Sequence, residues 1–366
     1  EDGALTYRLY LAEHDLQIAD LDWERGRFAG DATSLSERFV GANESPSWSP
    51  DGSRIAYVSR RPGPGAQDTR FLVVKSIEDG AEKDIELPFR LDRSSRPQWS
   101  TDGRQILMRG LYSDETGRAP VNPVAAAFRI DIETGEIERE PFRQDWDFTE
   151  RQREGLRSLG IRFTERRDRG AHLSGLEALR PGEKLLQLWR GRIRWIGSFE
   201  AQSDSPRRDS VEVGPVSRWE LSPDGTTLAF TAGSGDGTGA LYVFPLEAIE
   251  MRRMWVRGEG YTAPSGVRLW ELPEGWGGAG PLRWMPDGRH LAWSVWRVGT
   301  DPEEYRFVRF DLAGGEPQFA DFPISKGGLR TATFSPDGSR IALDIPRRLN
   351  EIWTLSGFPW DKNRER

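Results

Sequence analysis

No cysteine occurs in the 366 residues, so neither a disulfide framework nor a thiolate metal site is available, and nothing about redox compartment follows in either direction. Histidine is nearly as scarce: His14, His172 and His290 are the whole supply, few imidazoles for a zinc centre or for the base of a nucleophile. Long apolar runs are missing as well. The longest, near residues 121–128, falls far short of the roughly 20 residues that span a bilayer, and mean hydropathy is -0.64. No long block of one charge sign exists; acidic and basic residues are interspersed around a net charge of -7, which argues against a nucleic-acid face. Lysine is confined to Lys75, Lys83, Lys184, Lys326 and Lys362, arginine making up the rest of the 51 basic residues. That excess fits guanidinium recognition of carboxylate or phosphate groups, or GC-rich coding, since asparagine is scarce too.

What is present is a repeat. Ser45 to Arg60 reads SPSWSPDGSRIAYVSR, an aromatic strand end, a Ser-Pro-Asp-Gly turn, then an alternating apolar strand. Pro50 presets φ, Asp51 has a side chain that bonds its own backbone, and Gly52 accepts a positive φ. Ile55 and Tyr57 alternate with Ala56 and Val58, so this strand is expected to be buried on both faces. Copies start at Arg96, Arg218, Leu282 and Thr331, with turns at Asp102, Asp224, Asp287 and Asp337. The steps between turns are 51, 122, 63 and 50 residues, a period near 50 in which the step of 122 predicts a hidden copy at Glu154-Gly155. Asp2-Gly3 reads as a further copy entered part-way. A second strand and turn recur between the copies, as in FLVVKSIEDG (Phe71 to Gly80), AFRIDIETGE (Ala127 to Glu136) and RFVRFDLAGGE (Arg306 to Glu316). Four short strands per repeat at this period give an all-β fold, a β-propeller in which residues 1–366 form one domain. Seven blades are favoured over six, with the ring closed by N- and C-terminal strands, because each end offers three strands: near Leu5 to Leu9, Leu16 to Leu21 and Ala32 to Leu35, and near Thr331 to Ser335, Ile341 to Asp344 and Glu351 to Leu355.

The units Trp48 to Tyr57, Trp99 to Leu107, Leu221 to Phe230, Trp284 to Trp293 and Phe334 to Leu343 resemble the TolB-like, WD-repeat-like propeller family, over almost the whole chain except around residues 146–169 and 187–213. The resemblance implies architecture more than activity, since this repeat serves periplasmic binding proteins, peptidase-linked propellers and regulatory domains alike. It implies a periplasmic or otherwise extracytoplasmic setting. An opening on Glu1, with Asp2-Gly3 already inside a repeat, predicts further sequence upstream, with any signal region out of view.

In such a ring the short turns share one face and the long loops the other, and loops on a rigid scaffold are where binding concentrates. The candidate binding-face residues are Arg60 and Arg61; Tyr112, Asp114 and Glu115; and Trp296, Arg297, Asp301, Glu304 and Tyr305, which combine aromatic area with charge. Against each Trp stands the plainer reading that it packs between blades. The charged stretch at residues 146–169 reads as a short helix with a solvated face. No Gly-x-Ser-x-Gly elbow is present, so the serine-hydrolase partner of some propellers is missing from this chain. The three histidines fall in different repeats, His14 in a loop between second and third strands and His290 beside a turn, and are not expected to converge. No catalytic, cofactor or metal residue is assigned; an isolated Ca²⁺ on backbone carbonyls near the axis would leave no trace in sequence. The preferred function is a non-enzymatic scaffold for a protein partner or ligand, with no nucleic acid and no membrane span in this chain. The alternatives are a propeller hydrolase or lyase with an axial pocket, or the sensor domain of a longer protein.

Overall fold

The computed structural model describes residues 3–63, 68–91, 95–112, 124–141, 149–166, 184–189, 192–196, 210–213, 216–233, 239–248, 268–297, 305–321 and 329–358. The described strands form a β-propeller and fall into six units, of which blades 2 and 6 carry a fifth, short strand. Blade 1 runs Asn43–Trp48, Arg54–Pro62, Asp68–Ser76 and Glu82–Glu86. Blade 2 runs Gln98–Trp99, Gln105–Tyr112, Val124–Asp131 and Ile137–Pro141, with Arg90–Leu91 pairing further along its second strand. Blade 3 holds Ile161–Arg166, Lys184–Trp189, Arg192–Ile196 and Ser210–Val213. Blade 4 holds Val216–Leu221, Thr227–Gly233, Gly239–Pro245 and Arg268–Glu271, and blade 5 Trp276–Trp284, His290–Arg297, Tyr305–Asp311 and Gln318–Asp321. Blade 6 is built from both ends of the chain: Thr331–Phe334 and Arg340–Phe358, then Gly3–Asp22, with Arg27–Phe28 and Thr33–Ser34 outermost. First strands of successive blades touch one another, blade 1 against blades 6 and 2, and blade 5 against blades 4 and 6. They therefore stand innermost.

The core lies in slabs between blades. In blade 1, Ala56 and Val58 join Ile106, Met108 and Phe128 of blade 2, while Ile55 and Tyr57 join Leu16 and Ala342 of blade 6. All four second-strand residues are 1% exposed or less, the two-sided burial read from their sequence. At roughly 1.5–3 kcal/mol per large side chain removed from water, these slabs hold the blades together.

The turn chemistry repeats atom for atom. Ser49 Oγ donates to Asp51 Oδ1 at 2.6 Å and accepts from Arg54 N at 2.9 Å. Asp51 also accepts from Ser53 N, and Gly52 sits at φ +71°. Ser100 with Asp102, Ser222 with Asp224 and Ser335 with Asp337 do the same. In blade 5, Met285 takes the serine position and Asp287 accepts instead from the backbone and ring of His290. The turns nest around one face. A Cβ on Gly52 would lie 3.3 Å from Pro336 of the preceding blade, one on Gly103 3.8 Å from Pro50, and one on Gly338 3.9 Å from Pro286. Below the turns, each tryptophan reaches back one blade: Trp48 Nε1 donates to Thr333 O, Trp99 Nε1 to Ser47 O and Trp284 Nε1 to Glu220 O.

Two expectations from sequence are corrected. Glu154-Gly155 is not a turn but lies in helix α1, Glu150–Ser158, started by a Thr149/Gln152 capping box. The helix stands at the blade 3 station of the turn ring. A Cβ on Gly155 would meet Asp224 O at 1.8 Å, Gln152 Nε2 donates to Leu221 O at 2.8 Å, and Thr101 of the blade 2 turn bonds Glu150 at 3.4 Å. Beside it, the first two strands of blade 3 pair in parallel, unlike those of the other blades. The second correction concerns the strands at the two ends of the chain. The segments expected as separate strands at each end are continuous, and Gly3–Asp22 pairs with Arg340–Phe358 from Gly3↔Phe358 to Asp20↔Arg340. The strand after Asp2-Gly3 is the third strand of the Asp337 blade. Leu21 N donates to Ser339 O just as Ile77 N does to Ser53 O and Ile132 N to Arg104 O. His14 accordingly lies within a strand and not in a loop.

Candidate functional site

The face opposite the turns is reached at the far ends of the second strands. Arg60 and Arg61 sit there, as expected, in the Arg54–Pro62 strand. Arg61 is committed to the fold: its guanidinium forks onto Asp84 at 2.7 and 2.8 Å and stacks on Phe39 and Phe71 at 4.3 and 4.2 Å from the ring centroids. Those bonds, Arg61's foremost, hold the Asp84 carboxyl below its ordinary value. Arg60 is more open, pairing with Asp68 at 3.5 Å. Trp296 is half-buried and Arg297 exposed at the end of their strand, while Tyr305, paired with Trp296, packs on the core between blades 5 and 6. Tyr112 pairs with Val124 in blade 2. Asp114, Glu115, Asp301 and Glu304 lie outside the described residues, so the structure brings only part of the candidate set to this face.

Sequence reasoning missed a neighbouring feature. Phe39 and Val40 are 41% and 56% exposed, the two large apolar side chains exposed among the described residues. Phe39 has φ +51°, a conformation that a bulky residue rarely adopts. It is held there by the buried Asn43, whose Nδ2 donates to Arg38 O and Phe39 O at 2.9 and 3.2 Å, and by Ala42 N donating to Phe39 O. The tip belongs to the long-loop face, since Gly41 O accepts from His14 N and Ala42 O from Arg60 N. The readable signal was Phe-Val-Gly-Ala-Asn between polar residues, a turn carrying apolar side chains outward.

At the innermost strands, charged residues from several blades meet. Asp344, 0% exposed, accepts from His14 Nδ1 at 3.0 Å and from Ser45 N at 3.1 Å. Ser45 has φ +59° where the pairing of blade 1 shifts register. His14 Nε2 faces Arg330 Nη1 at 3.5 Å, and Arg330 pairs with Glu44. Across the next inner strands, Arg283 is fixed by Glu220 at 3.1 Å, Thr331 Oγ1 at 3.0 Å and Ala332 O at 2.9 Å. Arg96, just ahead of the first strand of blade 2, feels the charges of this group. Its residue keeps access to solvent, yet Arg283 beside it, then burial of the guanidinium, pull it down to about 10 from an arginine's usual 12.5, with Glu220, Arg330 and Asp344 also acting on it. It remains charged at neutral pH.

This arrangement is a charge lattice without a nucleophile-base pair: the imidazole buttressed by Asp344 points to a guanidinium, not to a hydroxyl or thiol. His290 pairs with Asp287 on the turn face at 2.5 Å, so it does not join His14, and His172 lies outside the described residues. Among the described residues no three His, Asp or Glu side chains gather as metal ligands, and no helix is long and apolar enough to cross a membrane.

No protein-family profile matches the chain. A curated relative, the uncharacterized peptidase YuxL of Bacillus subtilis, is 42% identical over 64 residues, 17% of this chain and 9% of that protein. Similar solved structures include TolB from Acinetobacter baumannii, at 12% identity and a TM-score of 0.37, covering 94% of this chain and 66% of that one. The β-propeller domain of the Trilobed protease from Pyrococcus furiosus, at 13% identity and a TM-score of 0.24, covers 87% and 70%. The acylaminoacyl peptidase of Pyrococcus horikoshii, at 14% identity and a TM-score of 0.40, covers 86% of this chain and 52% of that protein.

Proposed function

We propose that this propeller is a non-enzymatic binding module that docks a protein partner on its long-loop face, in an extracytoplasmic setting. The observation that carries the reading is the Phe39-Val40 tip. A backbone conformation costing on the order of 1 kcal/mol or more is maintained by a buried asparagine, and its result is to hold two apolar side chains in water beside Arg38 and Arg61. Rigid aromatic anchors ringed by arginine are the side chains that carry binding energy at protein interfaces. The pairing of His14 with Asp344 and Arg330, together with a chain lacking any Gly-x-Ser-x-Gly elbow, supports binding over bond cleavage.

The test compares wild-type protein with a Phe39→Ser/Val40→Ser variant in affinity capture from the native envelope fraction. A partner retained by wild type and reduced at least tenfold with the variant, whose stability is unchanged, is the expected result. Equal retention by both, or turnover of a peptide or sugar substrate by the purified chain, overturns the reading.

A further inference from the structure

The blade that closes the ring does not stop where the others do. In blade 1 the second and third strands part at Pro62↔Asp68. In blade 6 the same pairing runs past the matching level, Arg348↔Ala12, and on to Phe358↔Gly3, about 30 Å of further strand. Among the described residues no third strand pairs with this ribbon. Its register sorts the sequence into two unlike faces. Leu5 with Leu355, Tyr7 with Trp353, Leu9 with Glu351 and Leu11 with Leu349 stand on one, while Arg8, Tyr10, Asn350 and Arg348 stand on the other. The apolar set continues, at period two, the face of Ala19, Leu343 and Ile345 that blade 5 covers inside the ring. No described strand of blade 5 goes on alongside it. The second strand of that blade ends at Arg297, ten residues past Asp287, just as Arg347 lies ten past Asp337.

A two-stranded ribbon is marginal in water unless its apolar face is packed. We infer that the same face of a second copy of this chain packs it, the two ribbons lying face to face and running in opposite directions. Size favours this occupant. Tyr7 and Trp353, at about 150–250 Å² each, with five leucines on the same face, approach the roughly 800 Å² per partner of a standard interface. Self-complementarity favours it too. A two-fold interface meets its own residues, and with the ribbons opposed the Leu5 and Leu355 end of one copy lies on the Leu11 and Leu349 end of the other, apolar against apolar. The two rings then stand clear at opposite ends of the pair. Glu351 is the one charged residue within the apolar stretch, and burying it limits the affinity.

Sedimentation velocity of the whole chain over a concentration series is expected to show a monomer–dimer equilibrium, reaching twice the 41.5 kDa of one chain. Tyr7→Thr/Trp353→Thr keeps strand propensity and strips the apolar face. It should weaken the dimer by about a hundredfold or more. Tyr10→Thr/Ile352→Thr makes the same kind of change on the opposite face and should leave the affinity unchanged, while Glu351→Leu should tighten it about tenfold or more. A readout on wild type alone stands even where the first variant loses its ribbon: hydrogen exchange over residues 5–11 and 349–355 should slow as concentration rises through the dimer range. Phe39→Ser/Val40→Ser is expected to stay dimeric, so the loop-face reading and this one fail separately. A wild type that stays monomeric, with exchange independent of concentration, overturns the proposal. So does a dimer that is untouched by Tyr7→Thr/Trp353→Thr, or weakened as much by Tyr10→Thr/Ile352→Thr.

Discussion

The serine of each Ser-Pro-Asp-Gly turn does more than its frequency in turns implies. Ser49 Oγ bridges the Asp51 carboxylate and the Arg54 amide, so one hydroxyl ties the corner to the start of the next strand. Ser49's hydrogen bond, foremost among the causes, holds Asp51 at about 2, and Ser335 does the same for Asp337. A carboxyl depressed on folding favours the folded state wherever it is ionised. Its contribution is therefore complete above the unfolded value of 3.8 and is lost as pH falls through about 2. Because both carboxylates are largely solvated, each contribution is small and screened. Asp51→Asn combined with Asp337→Asn is expected to lower stability at pH 7 and to narrow its gap from wild type as the medium is acidified from pH 4 to pH 2. Urea unfolding midpoints across that range measure it; a gap independent of pH would separate the turns from their charge.

Helix α1 shows where local and tertiary causes part. The turns were legible because Pro50, Asp51 and Gly52 dictate their conformation within four residues, and five such corners set the repeat. The helix carried a local signal as well, the Thr149-x-x-Gln152 capping box, and the charged stretch around it reads as helical. Its purpose was not legible. What fixes it is the Asp224-Gly225 corner of another blade, where two glycines let backbones approach and Gln152 takes the Leu221 carbonyl in place of a tryptophan's reach. Leu221 stands where Trp48, Trp99 and Trp284 stand elsewhere, and that departure was the visible half of the exchange. Gly155→Ala should lower unfolding free energy by about 2–4 kcal/mol, since its methyl would overlap Asp224 O and the contact is backbone on both sides. Gly80→Ala, at φ +72° with nothing within 4 Å, should cost only about 1 kcal/mol. Chemical denaturation of the two variants side by side decides it, and equal losses would remove the helix from the turn ring.

Over the whole molecule, the same limit explains why the continuous pairing of the two terminal strands, and the charged group at the inner strands, went unseen. A one-dimensional reading counts corners and strands, but it has no means of knowing that residues some 330 positions apart share a sheet. The shared blade is also where the chain's ends are held, and its seam has one central acceptor. Asp344 receives His14 from the N-terminal strand and Ser45 N from blade 1, at 3.0 and 3.1 Å, while its own strand belongs to the C-terminal segment. Three segments distant in sequence thus converge on one carboxylate that no water reaches. Removing it leaves a buried backbone donor and an imidazole without their acceptor, a loss of about 2–5 kcal/mol at roughly 1–3 kcal/mol for each group left unsatisfied. Asp344→Ala is therefore expected to cost that much, and Asp344→Asn, which keeps an oxygen for Ser45 N, about 1–2 kcal/mol less. If the seam governs the molecule as a whole, both variants shift the urea midpoint of a single transition seen alike by tryptophan fluorescence and far-ultraviolet circular dichroism. If instead an early transition splits off in Asp344→Ala while the main midpoint stays at the wild-type value, the carboxylate fastens only the terminal strand, and the remaining blades stand without it.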